Sequence, residues 1–103
     1  MKLTVPERVI LLGVLPAQGD FVTLKIVRAL REDLSFNEEE VERLSIRQDD
    51  QQITWNAQAD GDGEIFSFGS VGQALIVDGL KKLDQEKKLT EQHFSVYEKF
   101  IGG

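Results

Sequence analysis

Helix-start signals recur at four points in this chain of 103 residues, and they constrain its fold to one built mainly of helices. Thr4, Asn37 and Ser70 are each followed three residues later by Glu or Gln, which is the capping-box pattern. Thr90 is a fourth N-cap, and Leu89 before it can pack against the first turn of the helix. The chain therefore has more marked helix starts than strand signals.

The apolar residues that follow these signals recur with a helical period and predict five helices. The helices cover residues 4–15, 21–33, 38–44, 70–83 and 90–101. The first is apolar on nearly every side, which is typical of a central buried helix. The last two are expected to form a helical hairpin. Because this final part is so rich in apolar side chains, we also expect that two copies could cover each other as a homodimer.

A different period marks the middle of the chain. Residues 52–56 and 64–68 alternate between apolar and polar side chains, and they are separated by Asp60-Gly61 and Asp62-Gly63. Alternation around such turn residues predicts one antiparallel β-hairpin. A weaker prediction adds an earlier short strand at Ile46, with Asp49-Asp50 as its turn.

Together these patterns predict a single domain of the α+β class. It is mostly helical, with one hairpin between helices three and four in the order ααα-ββ-αα. A winged-helix-like arrangement is compatible with this order, because three helices precede the hairpin.

The negative charge is concentrated in the same middle segment. Residues 37–64 contain nine acidic side chains against Arg43 and Arg47, whereas the rest of the chain is nearly balanced, for a total of −6. Such a segment is either a solvated face or a docking surface for a basic protein, one that could compete with nucleic acid. The candidate protein-interaction residues are Glu38, Glu39, Glu40, Glu42, Asp49, Asp50, Asp60 and Asp62.

The second helix suggests DNA binding as an alternative to the binding of a protein. Lys25, Arg28 and Arg31 recur at helical spacing and could contact DNA as in a winged-helix regulator. The acids around the predicted hairpin would repel phosphate, so nucleic acid is not the expected partner. A third hypothesis is a component of a virion or of its assembly.

Residues capable of catalysis or metal binding are sparse. Cysteine is absent, and His93 is the only histidine, with only generic neighbours in sequence. The stretch from Asp60 to Ile65 resembles the middle of a calcium-binding EF-hand loop, but Gln58 and Gly69 occupy the two end positions that need carboxylates. We therefore predict neither an enzyme, nor a bound metal, nor a cofactor.

The chain resembles small proteins of unassigned function that are encoded by bacteriophages and prophages. The resemblance lies in residues 3–8 (Leu-Thr-Val-Pro-Glu-Arg), 23–28 (Thr-Leu-Lys-Ile-Val-Arg), 34–40 (Leu-Ser-Phe-Asn-Glu-Glu-Glu), 81–84 (Lys-Lys-Leu-Asp) and 89–100. It implies a phage origin and the bacterial cytoplasm, and it transfers no functional residues. A cytoplasmic protein is also expected because the apolar run at residues 9–15 is too short for a signal peptide or a membrane span.

Overall fold

The computed structural model describes residues 1–49 and 52–102, and it contains all five predicted helices. The elements in chain order are β1 (Lys2–Leu3), α1 (Val5–Val14), α2 (Phe21–Leu34), α3 (Glu38–Arg43), β2 (Arg47–Asp49), β3 (Gln52–Thr54), α4 (Ala57–Asp60), β4 (Glu64–Ile65), α5 (Gly69–Gln85), a 3-10 turn (Glu91–His93) and α6 (Phe94–Ile101). The mostly helical α+β class is confirmed.

Helix α1 is the central element of the core, as its apolar sequence predicts. It contacts α2, α5 and α6, and its side chains Val5 and Leu11 are fully buried. The capping box forms as predicted, with the carboxylate of Glu7 accepting the backbone N–H of Thr4 at 2.9 Å. The other helices therefore enclose α1 and bury most of its surface.

Helices α5 and α6 pack on each other, which confirms the predicted helical hairpin. Ile76 and Leu80 of α5 and Val96 of α6 are fully buried in the same core cluster. At Gly79 the backbone of α5 comes so close to Val14 that an added Cβ would lie 2.8 Å from its methyl group. This glycine permits the close crossing of α5 over α1.

The predicted pairing of residues 52–56 with 64–68 is wrong. Strand β3 instead pairs antiparallel with β2, in the register Arg47↔Thr54 and Asp49↔Gln52. Strand β4 pairs with the N-terminal strand β1. The weaker prediction, an earlier short strand at Ile46, was closer to the observed structure. Strand β2 begins one residue later, at Arg47. Asp50 of its expected turn lies outside the described residues.

The linker between β3 and β4 explains why these two strands do not meet. The side chain of Asn56 accepts the backbone N–H groups of Gln58 and Ala59, which starts the helical turn α4 in place of a hairpin loop. At Gly63, with φ of 96°, the backbone then approaches so closely that an added Cβ would lie 2.1 Å from the carbonyl oxygen of Leu3. The N-terminal strand thus takes the place that the sequence pattern assigned to residues 52–56.

The hairpin β2–β3 follows directly after α3, which is the element order of the winged-helix-like interpretation. Its strands have three residues each.

Within residues 1–49 and 52–102, none of the helices combines the length and the apolar character needed to traverse a bilayer.

Candidate functional site

Arg8 is the largest fully buried side chain of the described residues, with 2% of its surface exposed. Its guanidinium donates to the carbonyl oxygens of Leu34 at 3.1 Å and Ser35 at 2.8 Å, and it forms a two-point ion pair with the carboxylate of Glu40. It also stacks over the ring of Phe36, 4.1 Å from the centroid. Arg8 therefore fastens α1 to the end of α2 and to the start of α3.

Glu40 is the acidic residue that fixes the orientation of α3. The hydrogen bonds from Arg8 hold the pKa of Glu40 below its ordinary value, and they outweigh the opposing effect of burial. The backbone N–H of Glu40 donates to the side chain of Asn37, and Leu44 at the end of the helix is buried. The helix is thus held by its cap, by an ion pair and by an apolar anchor.

The remaining glutamates of α3 point to solvent. Glu38, Glu39 and Glu42 are exposed, and they have no ion-pair or hydrogen-bond partner for their carboxylates in the part of the chain that the structure describes. Val41 of the same helix exposes 39% of its surface. We call Glu38, Glu39, Val41 and Glu42 the acidic α3 face. Three negative charges and one partly exposed apolar side chain thus lie on the outer side of one helix.

Two other acids of the middle segment have structural roles. The carboxylate of Asp60 accepts the backbone N–H of Val5 at 2.9 Å, which caps the start of α1 from a distant part of the chain. Glu64 forms an ion pair with Arg43 at 2.6 Å, and this pair places β4 beside α3. With Glu40, these residues account for three of the acids that the sequence analysis assigned to one charged segment.

The other predicted acids lie outside α3. Asp49 at the end of β2 and Asp62 in the loop before β4 are both exposed. Asp50 lies outside the described residues. The acids of α3 share one short helix.

The stretch that resembles an EF-hand loop has a different geometry. Gln58 belongs to the short helix α4, and the carboxylate of Asp60 is bound to the N-terminus of α1. Residues 1–49 and 52–102 contain no group of three or more His, Cys, Asp or Glu side chains that could hold a metal ion.

His93 takes part in a local helix cap. Its Nδ1 accepts the backbone N–H of Thr90 at 3.1 Å and lies 2.9 Å from the hydroxyl of the same residue. The side chain is half-buried at the start of α6. This arrangement caps the 3-10 turn, so His93 has a structural role there.

The predicted DNA-contacting residues Lys25, Arg28 and Arg31 are all exposed on α2. Phe21 and Leu24 share their side of the helix, and Phe21 exposes 81% of its surface. Phe21, Leu24, Lys25 and Arg28 line one shallow depression, as expected for residues spaced by three and four along a helix. We call these four residues the basic α2 face.

A groove opens where α5 ends and α6 begins. It has a volume of about 480 Å³, and its apolar wall is formed by Leu89, Phe94 and Tyr97. Asp84 and Glu98 also line it. Phe94 exposes 67% of its surface. We call this feature the C-terminal groove.

Sequence reasoning missed two buried charges in α1. The carboxylate of Glu7 accepts a hydrogen bond from the ammonium group of Lys99 at 2.7 Å, and Arg8 holds α3 through its ion pair with Glu40. A signal for Arg8 was present, because it lies three residues after Val5 and three before Leu11, on the face that the core requires. A charged residue at such a position needs a buried partner.

A comparison of the chain with protein-family models, with curated proteins and with solved structures finds no match.

Proposed function

We propose that this protein is a non-enzymatic accessory protein that acts by binding a basic protein through the acidic α3 face. The observation that carries the proposal is that the glutamates of α3 have two different environments. Glu40 turns inward to Arg8, whereas Glu38, Glu39 and Glu42 remain exposed. A charged surface on a fixed helix steers a partner of opposite charge and loses little entropy on binding.

The anchoring of α3 supports a docking role for this face. A solvating face needs charge but no fixed orientation. Here a buried arginine, a capping box and the buried Leu44 hold a helix of only six residues. Such a short helix would not be stable alone, so its acids are displayed in one arrangement by the rest of the fold.

The resemblance to phage and prophage proteins favours a partner in the bacterial cytoplasm. A host protein with a basic surface, inhibited or modulated by the bound accessory protein, is the partner class we infer. Proteins that bind nucleic acid have such surfaces, and the exposed carboxylates could occupy the site of the phosphates.

Capture from a bacterial lysate by the immobilised protein tests the proposal with two matched variants. The first carries Glu38→Lys, Glu39→Lys and Glu42→Lys. The second carries Asp78→Lys, Glu86→Lys and Glu91→Lys, which reverses three exposed acids elsewhere and gives the same net charge. We expect a basic protein that the wild type and the second variant retain and that the first variant loses. Equal retention by both variants, or no captured protein, would contradict the proposal.

A further inference from the structure

Exposed apolar side chains are concentrated at the first turn of α2. Three of the eight large apolar side chains that are exposed in the described part of the chain are Phe21, Val22 and Leu24, which fall within four consecutive residues. Phe21 is the most exposed of all eight, at 81% of its surface. Single exposed apolar residues are ordinary, whereas a contiguous group is typical of an interaction site. The start of α2 is therefore a second candidate surface, separate from α3.

The basic α2 face places positive charge directly beside this apolar turn. Lys25 and Arg28 follow Phe21 by four and seven residues, so the three side chains lie on one side of the helix. Neither cation takes part in an ion pair in the part of the chain that the structure describes. The carboxylate of Asp20, which precedes them, accepts the backbone N–H of Thr23 at 2.7 Å and caps the helix. The face thus combines an exposed aromatic group with two exposed cations.

The opposite side of α2 is packed in the core. Val27, Leu30 and Leu34 are buried there. At Gly72 the backbone of α5 lies so near that an added Cβ would be 3.0 Å from a methyl group of Leu30. The helix therefore cannot rotate to bury Phe21, and the basic α2 face is a fixed surface.

An acidic amphipathic helix matches this face in chemistry and in spacing. Apolar side chains three or four residues apart on such a helix can contact Phe21 and Leu24. Carboxylates beside them can pair with Lys25 and Arg28. The match uses both kinds of side chain on the face, over about two turns of helix.

Two other anionic partners match the face less well. The phosphates of DNA would pair with the cations, but they offer no contact for Phe21 and Leu24. The surface of an anionic membrane would repel a chain with a net charge of −6. A helix that binds a membrane also inserts its apolar side, and the apolar side of α2 is in the core.

We propose that the basic α2 face binds an acidic amphipathic helix of a partner protein. Phe21 and Leu24 are the apolar anchors of the contact, and Lys25 and Arg28 determine its charge preference. The inference does not depend on the proposed function, because α2 and α3 use different residues of opposite charge. Together the two faces would let one molecule hold a basic protein and an acidic one.

A designed peptide tests the chemistry of this contact. The probe is a fluorescein-labelled helical peptide of about 20 residues, with Leu along one side and Glu on both flanks. At about 100 mM salt, which limits long-range repulsion, fluorescence anisotropy should show saturable binding with a Kd of roughly 10–100 μM. Phe21→Ala should weaken this binding about tenfold.

Two charge-reversed variants test the role of the cations. Lys25→Glu with Arg28→Glu should weaken the binding of the peptide by at least about tenfold. Lys81→Glu with Lys87→Glu gives the same net charge from exposed lysines elsewhere, and it should bind like the wild type. All four substituted residues are exposed, so both variants are expected to fold, which circular dichroism checks.

The remaining probes separate the other partners and the proposed function. Glu38→Lys with Glu42→Lys should bind the peptide at least as tightly as the wild type does. No saturable binding up to about 1 mM peptide, or equal binding by the two charge-reversed variants, would overturn the inference. Tighter binding of phosphatidylserine vesicles or of mixed-sequence duplex DNA, lost with Lys25→Glu and Arg28→Glu, would also overturn it.

Discussion

The guanidinium of Arg8 on α1 is paired at two points with the carboxylate of Glu40 on α3, so a short acidic helix is fixed to the centre of the fold. This contact links the core to the proposed function. It uses one glutamate of α3 for anchoring, whereas Glu38, Glu39 and Glu42 remain exposed. The stability of the protein and the display of its acidic α3 face should therefore depend on the same ion pair.

Loss of Arg8 should be far more costly than loss of an exposed arginine. Arg8→Met leaves the Glu40 carboxylate and two carbonyl oxygens without their donor, which should lower the free energy of unfolding by about 3–5 kcal/mol. Arg43→Met removes an ion pair whose side chains are about half exposed, and it should cost about 0–1 kcal/mol. Urea denaturation of both variants measures the difference. Equal costs would show that Arg8 does not anchor α3.

The stability should fall in acid through two identified carboxylates. Burial raises the pKa of Glu7, but hydrogen bonds from Lys99, Thr4 and Ser95 outweigh it, so the pKa lies below the ordinary value of 4.5. The pKa of Glu40 is lowered by Arg8. Because both values are lower in the folded protein, the stabilisation is complete above pH 4.5 and is lost as the pH falls through the lowered values.

The double variant Glu7→Gln and Glu40→Gln tests this pH dependence. It should be less stable than the wild type at pH 7, and its free energy of unfolding should change less between pH 5 and pH 2. Glu39→Gln, which removes an exposed carboxylate, is the control and should follow the wild type. The interpretation fails if the double variant loses stability in acid as steeply as the wild type does.

Two glycine substitutions in helices should have opposite effects. Gly13→Ala in α1 meets no atom within 4 Å, so the helix preference of alanine should stabilise the protein by up to about 1 kcal/mol. Gly79→Ala in α5 would place its Cβ 2.9 Å from the carbonyl oxygen of Val14. The helices must then move apart, and we expect a net loss of about 1–3 kcal/mol. Thermal unfolding measures the sign of both stability changes. Stabilisation by Gly79→Ala would contradict the close crossing of α5 over α1.

Duplex DNA should not bind this protein at low salt. Lys25, Arg28 and Arg31 are exposed, but the chain carries a net charge of −6 and has exposed carboxylates on α3. A fluorescence-anisotropy titration with mixed-sequence DNA at about 50 mM salt favours any electrostatic binding. Saturable binding that Arg28→Glu abolishes would support the winged-helix hypothesis and would count against the proposed function.

The helices could be predicted because their signals are local. Caps such as Asn37 and stop residues such as Pro16 act within one turn, and the apolar period records which face is buried. The strand pairing could not be predicted in this way. Strand β1 has two residues, and its partner Glu64–Ile65 follows most of the helices in the chain. Nothing in so short a segment specifies a partner.

The candidate site could also be predicted only in part, because some of its contacts join residues that are distant in sequence. The sequence shows that residues 37–64 are acidic, and the exposed glutamates of α3 were among the predicted residues. The inward roles of Glu40 and Asp60 depend on Arg8 and Val5, which are distant in sequence. Only the folded chain determines which acids bind within the molecule and which remain exposed.

Photo-crosslinking from the acidic α3 face tests the proposed function most directly. A benzophenone amino acid replaces Val41, and a control protein carries it at the exposed Ala74 of α5. After irradiation in bacterial cells that produce the protein, we expect position 41 to form an adduct with one basic protein. Position 74 should not form this adduct, and Glu38→Lys with Glu42→Lys should abolish it. Identical adducts from both positions, or an adduct at position 41 that survives the charge reversal, would contradict the account.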